Sequence, residues 1–356
     1  MPADHGTAHR QAYTQLELPI AIDERPVKNG LAVFARSPSV VPTEVYRTYW
    51  SFAAERQEVF FRRAEGKPSP WTEDPILRHY KFTNAYRASD RVSQYLIRYV
   101  IYSGNSEPKD VFFRSLLFKL FNRIETWELL ESELGCIRWA DYSYTRYDRI
   151  LSRAMEANER IYSPAYIMPP GRNFGHPRKH QNHLKLLEHM MRDDVPQRIQ
   201  EETTMRGAFE LLRSYPSIGY FLGYQFVIDL NYSELTNFSE MEFVVPGPGA
   251  LDGIYKCFSS LGELREDDLI RLVTDSQEDE FVRMGIKFRP LWGRPLQLID
   301  CQNLFCEVGK YARVAHPEVR GRAVRTRIKQ RYRSHSDRIN YWYPPKWGLN
   351  DRIQFA

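Results

Sequence analysis

Three sets of polar residues on otherwise apolar stretches carry the chemistry this sequence can offer. Asn84, Arg87 and Arg91 fall three and four residues apart, so a helix would place them on one face, with Asp90 beside them. Guanidinium groups grouped in this way suit a phosphate or a flipped nucleotide, because their planar fork matches two oxygens at once. The same pattern also suits an Arg–Asp network that holds helices together. A second set, Arg114, Phe118 and Asn122, shares a face of the run from Asp110 to Asn122. The third follows Asp300, which opens a helix with Asn303, Glu307 and Lys310 at helical spacing beside Leu304 and Val308. Carboxylates on such a stripe can accept a proton from a reacting group. A capping Asp with a helix-stabilising Asn and Glu would look the same.

Other candidates point away from metals. His176, His180 and His183 sit in the basic stretch HPRKHQNHLK, at a spacing that fits no common zinc pattern, and a phosphate-facing loop is the expectation. No metal and no cofactor is assigned. The four cysteines, Cys136, Cys257, Cys301 and Cys306, contain no CxxC pair and read as reduced thiols of an intracellular protein. There is no P-loop GK[ST] and no GxGxxG. Arg and Lys crowd residues 320–338 around Arg325, Arg327 and Arg331, a pattern typical of a nucleic-acid patch or a basic arm.

The elements that must position these residues read as helices. The run Glu44 to Gly66 has helical apolar spacing, and further helices are expected over 83–101, after a loop or extended piece before Thr83, and over 110–122, 127–135, 148–159, 183–191 and 203–212. Tyr215-Pro216-Ser217-Ile218-Gly219 suits a tight turn into a second apolar helix from Tyr220 to Leu230, a helical hairpin. Backbone N–H groups at its second helix, around Ser217, Gly219 and Tyr220, suit a phosphate. The rigid loop Val245-Pro246-Gly247-Pro248-Gly249 enters another helix, and residues 263–280 form an acidic helical face. Three regions result: an arm over 1–41, a helical domain over 42–315 and an Arg-rich tail over 316–356, whose Trp342, Tyr343 and Trp347 are able to fold back. No strand-rich stretch occurs, so the fold class is all-α.

Of the 356 residues, 42% are hydrophobic and 14% aromatic, with 22 Tyr and 20 Phe. That is ample for a core, and the aromatic surplus also suits stacking on nucleobases. Net charge is only +5, so position matters more than the sum. No signal peptide and no membrane-length apolar run is present; the expectation is a cytoplasmic protein, nuclear in a eukaryote.

Four segments together resemble one family: Tyr80 to Arg91 (YKFTNAYRASDR), Ile161 to Ile167 (IYSPAYI), Val245 to Ala250 (VPGPGA) and Ile299 to Glu307 (IDCQNLFCE). They are similar to the α-glutamyl/putrescinyl-thymine pyrophosphorylase group, whose module is also called the helical domain of 5-hydroxymethyl-deoxyuridine DNA kinase. The resemblance covers roughly residues 42–315. It implies an all-α, helix-hairpin-helix fold of DNA-glycosylase type. It also implies double-stranded DNA carrying a modified thymine as substrate. An amine or amino acid then displaces pyrophosphate from a pyrophosphorylated 5-hydroxymethyluracil that a separate hydroxylase and kinase have prepared.

Under that resemblance the base must leave the stack. Phe82, Tyr86 and Phe118 are the stacking candidates. Arg87, Arg91 and Arg114, helped by Asn84, Asp90, Asn122, Asn303 and Lys310, are the candidates for the phosphates. Asp300 is the first choice as proton acceptor, then Glu307 and Glu242. The hairpin, with Gly247 and Gly249, and the basic tail would hold the DNA backbone. Two departures stand out. Phe221 occupies the hairpin position where bifunctional glycosylases carry a lysine, and the glycosylase aspartate has no clean counterpart. A monofunctional glycosylase and a non-catalytic reader of modified DNA are the alternatives.

Overall fold

The computed structural model describes residues 39–164, 168–333 and 340–354. The arm up to residue 38 and the Ala165, Tyr166 and Ile167 part of the second quoted segment lie outside them. Within the described residues the chain builds, in order, α1 (Glu44–Ala64), α2 (Pro75–His79), α3 (Arg91–Tyr95), α4 (Pro108–Phe121), α5 (Ile124–Leu134), α6 (Tyr144–Glu156) and α7 (Lys179–Arg192). It continues with α8 (Val195–Glu201), α9 (Met205–Arg213), α10 (Tyr220–Leu230), α11 (Pro248–Cys257), α12 (Glu266–Asp275), α13 (Gln277–Met284) and α14 (Leu298–Ala315). The all-helical expectation holds apart from one small antiparallel pair, β1 (Val40–Pro42) with β2 (Phe258–Leu261), which ties the start of α1 to the end of α11.

Local chemistry sets the helix ends. Thr43 caps α1 by accepting from the Val45 N–H, and Asp74 caps α2 by accepting from Ile76 and Leu77. Helix α4 is apolar nearly all round and buried along its length; Asn122 ends it in the left-handed region at φ 49°. Helices α11 and α14 make the tightest crossing. A Cβ on Gly253 would come within 1.8 Å of the Phe305 carbonyl oxygen, and one on Gly309 within 2.8 Å of Gly253 Cα. Only hydrogen at both positions lets the backbones meet.

The hairpin forms as α9, a turn and α10. Its left-handed residue is Ser217 at φ 68°, whereas Gly219 is extended at φ −83°. The glycine that the turn reading leaned on therefore serves as the N-cap of α10. The segment 77–101 departs further from expectation. The expected extended piece before Thr83 is present after α2, but it runs on to Tyr86, and in place of one helix beyond it stand a 3-10 turn over Arg87–Ser89, α3 and a π-helical turn over Leu96–Ile101. Polar side chains explain this. Asp90 accepts from the Asn84 N–H at 2.8 Å, and Asn84 Nδ2 donates to the Ser89 carbonyl at 2.6 Å, so local side-chain bonds replace the helical ladder. The acidic stretch likewise splits into α12 and α13.

The C-terminal stretch returns to the core. Tyr343 is fully buried, its hydroxyl 2.8 Å from Ser89 Oγ, and Lys346 donates to the Ser233 and Thr236 carbonyls. No helix among the described residues is long and apolar enough to cross a membrane.

Candidate functional site

Helix α14 grips the extended stretch 81–87 with the polar stripe read from its sequence. Lys310 Nζ donates to the Lys81 carbonyl at 2.8 Å, Glu307 accepts from the Thr83 N–H at 2.9 Å, and Asp300 accepts from the Arg87 N–H at 2.8 Å. Lys310 and Glu307 are themselves paired at 2.7 Å. Asn303, on the same stripe, is half-buried, and its side chain makes no hydrogen bond among the described residues. The stripe thus binds backbone, and it brings the first and third polar sets together.

Arg87 then turns its side chain inward. Its Nη1 stands 2.7 Å from Asp229 Oδ1 and donates to the Tyr232 hydroxyl at 3.0 Å, while Nε donates to Gln225 Oε1 at 3.2 Å. On the other carboxylate oxygen of Asp229 lies Lys119 Nζ at 3.1 Å, which also donates to Asn122 Oδ1 at 2.8 Å. One anion thus serves two buried cations. Burial alone raises the Asp229 pKa; Arg87 and Lys119 outweigh it and hold the carboxyl below its ordinary value. Burial pulls Lys119 below its ordinary value, against the opposing pull of Asp229.

Asp300 differs. Burial pushes its carboxyl up to about 7, opposed by the N–H groups of Gln297 and Arg87. Asp90 is likewise pushed up to about 6 by burial. Nearby, Glu240 meets Arg294 at 2.9 Å, and burial lowers Lys346 to about 8. Arg87 and Asp300 are each 5% exposed, so the cluster is closed to solvent rather than set in an open cleft.

The remaining candidates disperse. Arg91 is exposed at the start of α3 and shares no helix face with Arg87, because no helix spans the two. The Arg114 guanidinium donates to the Val100, Ile101 and Asn105 carbonyls, closing the end of the π-helical turn. Phe82, Tyr86 and Phe118 are core residues with no free ring face for a base. Phe118 lies against Tyr95 and Trp127, Phe82 against Phe52 and Tyr311, and the Tyr86 hydroxyl donates to the Arg294 carbonyl. Glu242 caps α9 through the Met205 and Arg206 N–H groups. In the histidine stretch, His180 bonds Asp148 at 2.8 Å and His183 bonds the Tyr162 hydroxyl and the Pro169 carbonyl; both are buried, so neither faces a phosphate.

Two surfaces stay open. The first turns of α10 and α11 lie side by side, with the Phe221 ring so close to Gly247 that a Cβ there would come within 2.6 Å. A Cβ on Gly249 would meet Cys306 Sγ at 2.3 Å. In the tail, Arg325, Arg327, Lys329, Arg331 and Arg333 occupy alternate positions and all are exposed. That segment lies along 79–81, with Lys81 N–H donating to the Gln330 carbonyl and Tyr332 N–H to the His79 carbonyl. Up to Arg333 it is therefore docked rather than a loose arm.

The residues missed in the sequence are Asp229 and Lys119. Asp229 is the lone charge of apolar α10, and Lys119 is flanked by Leu116, Leu117, Phe118, Leu120 and Phe121; a charge among apolar neighbours is the available signal.

Fold and interior define an all-helical domain whose distant segments are joined by buried charge. Within that class, the chain belongs to the family described as the 5-hmdU DNA kinase, helical domain, whose model matches residues 43–321. It is 25% identical over 299 residues to a 5-hmdU DNA kinase of Bacillus phage SP10, an alignment covering 78% of this chain and 46% of that protein. The chain thus spans about half the length of this curated relative. No solved structure matches it.

Proposed function

We propose that this chain modifies a thymine-derived base in DNA, joining an amine or amino acid to the exocyclic carbon of a pyrophosphorylated 5-hydroxymethyluracil. The observation that carries this reading is the family match over 43–321, a family named for 5-hydroxymethyl-deoxyuridine in DNA. In the proposed step the amine nitrogen forms a C–N bond to the CH₂ as its C–O bond to pyrophosphate breaks. Pyrophosphate leaves with the bonding pair, and a proton from the amine passes to a carboxylate.

Asp300 is the proposed acceptor. A carboxyl pushed up to about 7 matches proton transfer near neutral pH better than an ordinary aspartate does. Since it is buried under the 81–87 stretch, substrate reaches it only when that stretch parts from α14. The proposed fold kinship is to helix-hairpin-helix DNA glycosylases, with the α9–α10 hairpin supplying N–H groups at the start of α10. The paired first turns of α10 and α11 suit DNA phosphates, which helix N-termini attract. So does the basic strip, whose alternate cations stand about 6.6 Å apart in extended chain. A separate hydroxylase and kinase supply the activated base.

The test incubates the full chain with pyrophosphorylated 5-hydroxymethyluracil DNA and a panel of amines, then digests the DNA to nucleosides for mass spectrometry. An amine adduct with release of pyrophosphate is expected. A free base, or DNA returned unchanged under conditions where binding is measured, refutes the transfer reading. Asp300→Asn is expected to abolish adduct while DNA binding stays within about twofold of the parent.

A further inference from the structure

We propose that Glu44, His316 and Glu318 form a site for one divalent transition-metal ion at the mouth of a groove between α1 and α14. One donor atom from each residue lies within 4.8 Å of the other two. His316 Nδ1 stands 3.7 Å from Glu44 Oε1 and 3.7 Å from Glu318 Oε1. Those separations are too long for hydrogen bonds. They are close to the spacing of ligands around a shared ion, since donors about 2.1 Å from zinc stand roughly 3 to 3.5 Å from each other. Contraction by a few tenths of an ångström brings each carboxylate to that spacing from Nδ1.

The ring is already oriented for this. His316 Nε2 lies 2.8 Å from Thr48 Oγ1, one turn along α1 from Glu44. With the proton on Nε2 and Thr48 accepting it, the Nδ1 lone pair faces both carboxylates, the outer-shell arrangement that fixes metal-binding histidines. The backbone is also held, with His316 N–H on the Ala312 carbonyl and Val319 N–H on the His316 carbonyl. Glu44 and His316 line a groove of about 570 Å³ together with Arg47, Thr48, Ser51 and Tyr311. Three protein ligands leave coordination positions open toward that groove. One imidazole with two carboxylates suits Zn²⁺ or Mn²⁺, whereas Mg²⁺ and Ca²⁺ favour oxygen alone. The competing description is a histidine beside two carboxylates, each 61% exposed, a weak surface cluster.

This site lies at the opposite end of α14 from Asp300, about 24 Å along the helix, so its test is independent of the proposed reaction. The full chain, stripped with EDTA, is titrated with Zn²⁺ by calorimetry and with Mn²⁺ by electron paramagnetic resonance. One ion per chain is expected, with Mg²⁺ binding at least tenfold weaker than Zn²⁺. His316→Ala and Glu318→Gln should each weaken Zn²⁺ binding at least tenfold at an unchanged melting temperature, whereas His189→Ala should not. Absence of stoichiometric Zn²⁺ binding, or equal affinity in the parent and both variants, would overturn the proposal.

Discussion

Replacing Asp229 by Asn tests whether one buried anion holds two cations. Its side chain is 1% exposed, with Arg87 Nη1 at 2.7 Å and Lys119 Nζ at 3.1 Å on its two oxygens. Asparagine keeps the volume, removes the charge and turns an NH₂ toward one of the donors. Lys119 can respond by releasing its proton, since burial already lowers its pKa. Arg87 cannot, because a guanidinium stays charged. Breaking a buried pair in this way typically removes about 3–5 kcal/mol. With a urea m-value of about 3 kcal/mol/M, the unfolding midpoint should fall by about 1–1.7 M. Urea unfolding of the full chain at pH 7 measures it directly. Adding Lys119→Met to Asp229→Asn removes one stranded charge, so the double variant should be more stable than the sum of the single losses. A single-variant loss below about 1 kcal/mol, or strict additivity in the double, would show that the triad is not what holds these helices.

Asp300 gives a pH signature. Its folded pKa of about 7 lies above the unfolded value of about 4, so the folded protein holds an extra proton between them. Its contribution to stability is therefore full below about pH 4 and is lost as pH rises through 7. Melting of the parent and Asp300→Asn across that range should show a shallower fall in the variant; parallel curves refute the shift. Gly253→Ala drives a methyl into the Phe305 carbonyl and should destabilise by about 3 kcal/mol in the same urea assay; a loss under about 0.5 kcal/mol would mean the α11–α14 crossing yields readily. Replacing Arg325, Arg327 and Arg331 together by Ala should lower the slope of log DNA affinity against log salt by about 0.9 per lost phosphate contact, and an unchanged slope removes the strip from the interface.

Periodicity marked the long helices well. The spacing predicts α10 over Tyr220 to Leu230 and it forms over those residues, and α1 and α4 differ from expectation only near their ends. The 81–90 stretch misled because its polar residues look alike as a helix face and as a self-bonded loop. What separates the two is whether Asn84 and Asp90 bond their own backbone, a tertiary choice invisible in spacing. The stripe Asp300, Glu307 and Lys310 was visible, but its partner was not: it grips main chain, which carries no sequence signature. Phe82, Tyr86 and Phe118 were open to two readings because an aromatic that stacks on a base and one that fills a core have the same composition. Burial decides between them. Glu44 and His316 escaped notice because only the close packing of α1 and α14 brings so distant a pair together.

The charged interior also constrains the order in which the molecule can assemble. Arg87 and Asp300 are 213 residues apart in the chain, and Lys119 and Asp229 lie between them on separate helices. Any intermediate that closes over Arg87 and Lys119 before α10 arrives would bury two positive charges with no counter-ion, at a penalty of several kcal/mol each. Early collapse is thus restricted to apolar contacts that leave this centre wet, and dehydration must come late, once all four segments have met. A chain cut between α4 and α10 yields two halves that each carry part of the charge and neither its complement. Such fragments should stay open and soluble when separate, and regain cooperative unfolding only when mixed.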